Sequence, residues 1–383
     1  MYGAGNIGRG FIGPLFARAG WEVVFVDVSA PIVEALNIRR GYNVTIAKEP
    51  PEELPVTGVR AVDGRDADAV AEAIAGCDLM ATSLGGAVLE RVAPVIAQGL
   101  TRRGGRPLDI LICENLKDSA HLLRGWISAA LPADRQPLLG GLGLVEAAIG
   151  RMVPVVSGEA DPLFVRVEEY GFLPVDRDAF VGPLPDIPQL VPYSPFAFYE
   201  ERKLYLHNMG HAVCACLGKV LGYEYIHEAI GDPAVRVVVQ SAMTESAAAL
   251  AKKYGVDFHA IFDHAEDLLL RFANPALADT CERVARDPMR KLAAGDRLAG
   301  ALNTCLEQDV HPAYIGLGFA AFLREAAGSD EDAERIVSDI SQLGGKAAEL
   351  VLNLYRRLDD RWNMHALIAL ADATQRELRG ETV

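Results

Sequence analysis

The chain contains few cysteines, and their spacing fits no known pattern. Six occur in 383 residues, and most lie inside apolar segments. They are Cys77, Cys113, Cys214, Cys216, Cys281 and Cys305. So few thiols argue against a disulfide framework and for a reducing, cytoplasmic location. The close pair, Cys214 and Cys216, would lie about 200° apart around a helix, so we expect no metal or redox site there.

Basic residues are also scarce, with 37 Lys and Arg against 52 Asp and Glu and a net charge of −15. A nucleic-acid partner is therefore not expected, because phosphate backbones require a basic surface. A small anionic ligand remains possible, since it needs only a few local cations. No uncharged apolar run reaches the ~20 residues that cross a bilayer. The first residues are rich in glycine and do not resemble a signal peptide. We expect neither a membrane partner nor secretion.

The length and the patterning predict two domains, 1–190 and 191–383. Apolar runs at Trp21–Val28, Cys77–Thr82 and Leu108–Cys113 read as buried strands, with alanine-rich helical stretches between them. This alternation predicts an α/β domain with a doubly wound parallel sheet. A further strand is expected at Leu163–Tyr170, and the proline-rich passage Pro183–Pro195 is interpreted as the hinge.

The second half predicts a mainly α-helical domain. Its amphipathic stretches fall at 207–220, 232–254, 258–272, 312–326, 330–342 and 344–358.

A glycine-rich motif stands at the start of the chain. Gly3, Gly5 and Gly8, with Asn6 and Ile7 between them, match G-x-G-x-x-G ahead of a helix. In the Rossmann fold such glycines permit a tight turn, close approach of a pyrophosphate and close helix packing. The next predicted strand ends at Asp27, where an acid bonds the adenosine ribose and disfavours a 2′-phosphate. We therefore expect NAD as the cofactor, against the alternative of a glycine-rich loop without a ligand.

The strand that should precede this motif is short. Only Met1 and Tyr2 stand before Gly3. We expect this strand to be missing or reduced to a stub, and we hypothesise that Met1 is an internal methionine of a longer chain.

A cluster of polar residues follows the proline-rich passage. Lys203, Asn208 and His211 form K-x4-N-x2-H, and residues three apart share one face of a helix. Oxidation of an alcohol needs a base, which a lysine can be, and donors for the developing alkoxide, such as an asparagine amide. Spacing alone also fits a solvated helix face.

A resemblance adds to this interpretation. The segments Gly3–Gly13 and Lys203–Gly218, together with Ala242–Tyr254 and Arg283–Leu298, resemble the polyol-specific long-chain dehydrogenases over nearly the whole chain. The resemblance implies an NAD-dependent, metal-independent oxidoreductase acting on a small polyol or sugar phosphate.

The resemblance also implies roles for single residues. Lys203 would be the general acid/base, Asn208 and Asn115 would hold the oxyanion, and His211 would contact the substrate. Glu200 would exchange protons with solvent.

Some positions depart from the family pattern. Members that act on hexitol phosphates carry L-N-T-G-H, whereas this chain has His207 and Met209 around Asn208. Gly150 replaces an acidic residue that precedes an arginine in relatives, so the ion pair of that acid is in doubt.

The substrate is the least determined part of the prediction. Arg290 and Lys291 are candidates to bind a phosphate, although they also fit a charged helix end facing water. A phosphorylated hexitol is the first hypothesis. An unphosphorylated hexitol or a keto-uronate is the second, and an NAD-binding protein without turnover is the third.

Overall fold

A computed structural model describes residues 1–154, 160–340 and 343–381. The chain divides into two compact units, Met1–Ala197 and Phe198–Val383. The boundary at 190/191 remains a prediction from the sequence.

The described residues of the first unit form ten strands. They are β1 (Val23–Asp27), β2 (Gly41–Ile46), β3 (Glu52–Thr57), β4 (Val59–Asp63), β5 (Leu79–Thr82), β6 (Leu108–Ile112), β7 (Leu142–Glu146), β8 (Arg166–Val167), β9 (Leu173–Asp176) and β10 (Leu190–Tyr193). β1 pairs with β4, and β5, β6 and β7 pair in that order, all in parallel. Every residue of β6 is buried, as expected for a strand covered on both faces.

Tyr2 joins these two groups of strands. It forms single parallel bridges to Val26 of β1 and to Thr82 of β5. The resulting order is β4-β1-Tyr2-β5-β6-β7, with the strand before the glycine motif reduced to a stub.

Five helices cover the parallel strands. They are α1 (Gly13–Arg18), which continues a π-helical turn over Gly8–Ile12, α2 (Ala30–Arg39), α3 (Ala67–Gly76), α4 (Gly86–Arg102) and α5 (Ser119–Ala130). Alternate strand residues enter two core layers: Phe25 and Leu111 pack with Phe11 of the π-turn, and Val26 and Ile110 pack in the other layer. The predicted doubly wound α/β unit is confirmed.

Two passages differ from the sequence prediction. Of the strand expected at Leu163–Tyr170, only Arg166–Val167 pairs, in parallel with Thr45–Ile46. A turn in which the Phe164 N–H donates to Asp161 O (3.1 Å) occupies its start, so the longer strand was wrong. The proline-rich passage contains β10, which pairs with β9 and so forms part of the first unit.

The described part of the second unit is helical, which confirms the prediction. Its helices are α6 (Ala197–Glu201), α7 (Met209–Leu221), α8 (Ile226–Gly231), α9 (Pro233–Tyr254), α10 (Phe258–Phe272), α11 (Cys281–Ala285), α12 (Pro288–Leu292), α13 (Arg297–Glu307), α14 (Ala313–Ala326), α15 (Asp330–Asp339), α16 (Gly345–Arg357) and α17 (Met364–Leu378). A π-helical segment, Arg202–Asn208, links α6 to α7.

The ends of the long helices follow from their capping residues. The Asp232 carboxylate accepts the Ala234 N–H at the start of α9, and Gly255 ends α9 with a φ of 64°. Asp257 caps α10 in the same way. Residues 341 and 342, where the predicted stretch 330–342 ends, lie outside the described residues. None of the helices described here combines the length and the apolar character that crossing a membrane requires.

Candidate active site

Gly3 and Gly8 are required by the fold of the glycine motif. Gly3 has a φ of +101°, and a Cβ there would lie 2.3 Å from Ser83 O. A Cβ on Gly8 would lie 2.1 Å from Gly3 O. Neither position can accept a side chain without moving backbone atoms.

Gly5 is different, because the protein leaves the space around it open. A Cβ on Gly5 would meet no atom within 4 Å, and its φ is not positive. Neither packing nor backbone strain therefore explains this glycine. The space beside Gly5, at the start of the following helical stretch, is open to solvent. Asn6 and Ile7 form the first residues of that stretch.

Asp27 lies beside the same loop. It ends β1, and its carboxylate accepts the Ala4 N–H (2.7 Å) and the Ser29 N–H (2.9 Å). An anionic group is thereby fixed next to the glycine motif, at the position predicted for ribose binding.

Asn115 is exposed in the loop that follows β6. The preceding residue, Glu114, is buried, and its carboxylate accepts the N–H groups of Leu84 and Gly85 at 2.8 Å each. Glu114 thus ties the loop after β5 to the loop that carries Asn115. The sequence reasoning did not identify this role, although the acid stands directly beside Asn115.

Lys203, Asn208 and His211 lie on one continuous helical run. Lys203 and Asn208 belong to the π-helical segment, and His211 lies in the first turn of α7. In an α-helix, positions five apart differ by about 140° around the axis. The i→i+5 bonding of a π-helix instead brings such residues onto one side. The π-segment therefore places Lys203 on the side of Asn208, and the side chains of Lys203, Asn208 and His211 are all half-buried.

His211 is held between a ring and a carboxylate. Its imidazole stacks on Phe272 with the ring centroids 4.9 Å apart. Its Nε2 atom lies 3.4 Å from Asp279 Oδ2, without an aligned hydrogen-bond partner among the described residues. Arg283 donates to the other oxygen of Asp279 at 2.5 Å. Burial raises the pKa of Asp279, but His211 and Arg283 outweigh it and keep the pKa below its usual range.

Two further histidines adjoin this group. Burial, reinforced by nearby cations that include Arg271 and Lys203, holds the pKa of His207 well below its usual range. Burial and the charges of Arg202 and Arg271 lower the pKa of His264 to about 3. Both imidazoles are therefore neutral at physiological pH. The sequence analysis placed His207 near the substrate, and the structure places it in the buried wall beside Lys203.

Glu200 is exposed in α6, three residues before Lys203. Burial is the main cause that raises the pKa of Tyr205 and of Tyr254, and the charge of Glu200 adds to it. The structure thus places Glu200 at the solvent side of the helical run.

Arg290 and Lys291 are neighbours in α12 but differ in environment. The Arg290 side chain is exposed, whereas Lys291 is 3% exposed. Burial, followed by the charges of Arg290 and Arg297, lowers the pKa of Lys291 to about 8. Asp287 and Asp296 partly offset the effect of these cations.

A metal site was also sought among the residues that the structure describes. No three His, Cys, Asp or Glu residues in the described ranges lie close enough together to hold a metal ion. All six cysteines are free thiols, and burial raises the pKa of Cys214 and Cys216 on α7.

The chain matches two family models and is similar to a curated relative. Residues 1–189 match the mannitol dehydrogenase Rossmann domain, and residues 196–378 match the mannitol dehydrogenase C-terminal domain. A protein of Brevibacillus brevis named mannitol-1-phosphate 5-dehydrogenase is 40% identical over 347 residues, which is 90% of each chain.

Two solved structures share the fold. Pseudomonas fluorescens mannitol 2-dehydrogenase, in a ternary complex with NAD and D-mannitol, aligns with a TM-score of 0.72 at 16% identity, covering 100% of this chain and 94% of that one. D-sorbitol dehydrogenase in substrate-free form aligns with a TM-score of 0.77 at 16% identity, covering 96% and 94%. Because the two family models together span most of its length, this chain belongs to the mannitol dehydrogenase family of oxidoreductases.

Proposed function

We propose that the protein is an NAD-dependent mannitol-1-phosphate 5-dehydrogenase that interconverts mannitol 1-phosphate and fructose 6-phosphate. The observation that carries the proposal is the 40% identity, over 90% of the chain, to a relative of that name. The Lys203, Asn208 and His211 group on a π-interrupted helix supports the chemistry.

The glycine motif fits NAD. Gly5 leaves open space where a pyrophosphate would approach, and Asp27 places a carboxylate beside the loop, which favours a ribose hydroxyl over a 2′-phosphate. When bound, the reduced cofactor supplies the hydride that the keto carbon receives. The free thiols, of which all but that of Cys77 are buried, are compatible with the cytoplasmic location expected from the sequence.

The residues around the substrate carbonyl would transfer the proton and stabilise the negative charge that develops on the oxygen. Lys203, as the ammonium, donates a proton to the carbonyl oxygen during reduction and accepts it back during oxidation. Asn208 and Asn115 donate to the same oxygen while negative charge develops on it.

The remaining residues would bind the rest of the substrate and return protons to solvent. His211 offers its Nε2 atom to a substrate hydroxyl. Exposed Glu200 exchanges protons between Lys203 and solvent, and Arg290 and Lys291 bind the phosphate.

The proposal is tested by following NADH oxidation with fructose 6-phosphate and with fructose, side by side. Fast turnover of fructose 6-phosphate and little turnover of fructose is the expected result. The opposite preference would reject the phosphate specificity and favour a free hexitol, which the departures at His207 and Met209 leave open. Turnover of neither ketose, with activity on a keto-uronate, would reject both hexitol substrates.

A further inference from the structure

The π-helical segment Arg202–Asn208 is an unusual element of the candidate site. Such segments are rare and occur mostly as single turns inside α-helices, frequently at functional sites. In an α-helix, Lys203 would be turned away from Asn208 by about 140° around the axis. The contacts that hold this segment in the π form therefore decide where the Lys203 side chain lies.

A buried serine of a neighbouring helix bonds to the middle of this segment. Ser246 of α9 is 2% exposed, and its hydroxyl donates to Tyr205 O at 2.8 Å. Tyr205 is the central residue of the π-segment, between Lys203 and Asn208. Because Ser246 is almost fully buried, the donor that it supplies to this carbonyl is not readily replaced by water.

The same face of α9 contacts the helical run on the other side of Asn208. Met243 lies three residues before Ser246, and residues three apart share one face of a helix. A Cβ on Gly210 would lie 2.6 Å from Met243 Sδ, so the first turn of α7 packs closely on α9. Helix α9 thus contacts the run at Tyr205 and at Gly210, before and after Asn208.

The side chain of Tyr205 anchors the segment to a second helix. A Cβ on Gly300 of α13 would lie 2.3 Å from Tyr205 Cε1, so the tyrosine ring lies directly against the backbone of α13. The Tyr205 hydroxyl donates to Gly295 O at 3.4 Å. The central residue of the π-segment is therefore held by its carbonyl on α9 and by its ring on α13.

We propose that Ser246 is a positioning residue for the reaction. Its bond to Tyr205 O holds the segment in the π form and so keeps the Lys203 amine on the side of Asn208. This role rests on the proposed function, because it takes Lys203 as the acid/base. Without the bond, the segment can shift toward α-helical bonding, which turns Lys203 away from Asn208. A displacement of about 1 Å in an active site can lower the rate about 100-fold.

The first test compares Ser246→Ala with Thr244→Val. Thr244 is a matched control on the same helix, because its hydroxyl also donates to a backbone carbonyl, Gln240 O at 2.8 Å, but within α9 itself. In Ser246→Ala we expect the kcat for reduction of the ketose substrate to fall about 10–100-fold, with the Kd of NADH unchanged. Thr244→Val should keep both values.

Amide hydrogen exchange of residues 202–208, which requires no substrate, is measured on the same proteins. Exchange should be faster than in the unmodified protein in Ser246→Ala and unchanged in Thr244→Val. In Ser246→Ala, either an unchanged kcat or unchanged exchange in this segment would overturn the proposal.

A double-mutant cycle separates positioning from a general structural role. If Ser246 acts through Lys203, adding Ser246→Ala to Lys203→Ala should lower the residual kcat by less than about twofold. A loss of the same size with and without the Lys203 amine would show that Ser246 only supports the fold, and would overturn the proposal.

The same variants distinguish this role from the proposed function. If Lys203→Ala keeps its kcat, the acid/base assignment fails and the role of Ser246 fails with it. If Lys203→Ala loses its kcat while Ser246→Ala behaves like Thr244→Val, the role of Ser246 alone is rejected and the proposed function stands.

Discussion

The three glycines of the cofactor motif are glycines for different reasons. A side chain at Gly3 would collide with Ser83 O, and one at Gly8 would collide with Gly3 O. Gly5 faces open space. A substitution at Gly5 should therefore affect the ligand and not the fold.

We predict that Gly5→Ala raises the KM for NADH about tenfold, equivalent to ~1.4 kcal/mol of binding, and leaves the Tm unchanged. The added methyl group stands where the pyrophosphate would approach. Steady-state kinetics and thermal melting measure the two effects. Gly8→Ala is the matched control and should lower the Tm, because its Cβ would meet backbone 2.1 Å away. An unchanged KM in Gly5→Ala would contradict the assignment of this loop to the cofactor.

Lys203 is predicted to act in the chemical step. Lys203→Ala should lower kcat by about 10²–10⁴-fold, the usual contribution of a general acid/base, while NADH binding is retained. Lys252→Ala is the control, since Lys252 is exposed and bonds to Gln308 O (2.9 Å). Stopped-flow hydride transfer and fluorescence titration of NADH separate the two steps. A variant that retains its kcat would exclude Lys203 as the acid/base.

The sequence predicts the members of this site better than their arrangement. The spacing of Lys203, Asn208 and His211 indicated a shared helix face, but nothing in it indicated the π-segment that aligns Lys203 with Asn208. The sequence analysis did not identify Asp279, because Asp279 is distant from His211 in the sequence and only tertiary packing brings the two together. Local patterns report neighbours along a helix and not such contacts.

Among the elements, those with uniform patterns were predictable. Apolar runs revealed β1, β5 and β6, and the amphipathic stretches 232–254 and 258–272 revealed α9 and α10. β3 was not predicted, because Leu54 and Val56 are the only residues that it turns inward, too few for an alternating pattern to stand out among exposed Glu52, Glu53 and Pro55. It pairs with β2 as an antiparallel hairpin.

Helix α14 depends on a carboxylate from another helix. Glu245 of α9 is buried and accepts the N–H groups of Tyr314 (3.0 Å) and Ile315 (2.9 Å) and the side-chain amide of Gln375 (3.3 Å). These backbone donors lie in the first turn of α14, where a helix has no partners of its own for them. Glu245 therefore links three helices of the second unit.

We predict that Glu245→Leu lowers the free energy of unfolding by about 3 kcal/mol, because buried donors lose their acceptor. Glu349→Leu, at an exposed site of α16, should change it by no more than about 0.5 kcal/mol. Urea denaturation followed by circular dichroism compares the two. Equal losses in both variants would show that helix propensity or solubility, and not the cap, is responsible.

On the scale of the whole molecule, the charge balance restricts how an anion can be bound. With a net charge of −15, the chain as a whole repels a sugar phosphate. A sugar phosphate, the substrate proposed above, would therefore need local attraction, for which Arg290, Lys291 and Arg297 are the candidates. Burial, followed by the charges of Arg290 and Arg297, lowers the pKa of Lys291 to about 8. Arg297 is itself paired with Asp296 at 2.8 Å, which leaves Arg290 and Lys291 as the main candidates.

Removing Arg290 should therefore weaken binding of the substrate's phosphate group and leave the reaction at the keto carbon unchanged. We predict that Arg290→Ala raises the KM for fructose 6-phosphate at least about tenfold, the loss of one charge-assisted contact, and leaves the weak turnover of fructose unchanged. Arg286→Ala is the control, because Arg286 is an exposed arginine of the same segment that lies 3.8 Å from Asp287. Kinetics with both ketoses measure the difference. A parallel loss with both substrates would mean that Arg290 supports the fold or the hydride-transfer geometry, and the phosphate site would then have to be sought around other cations of the second unit.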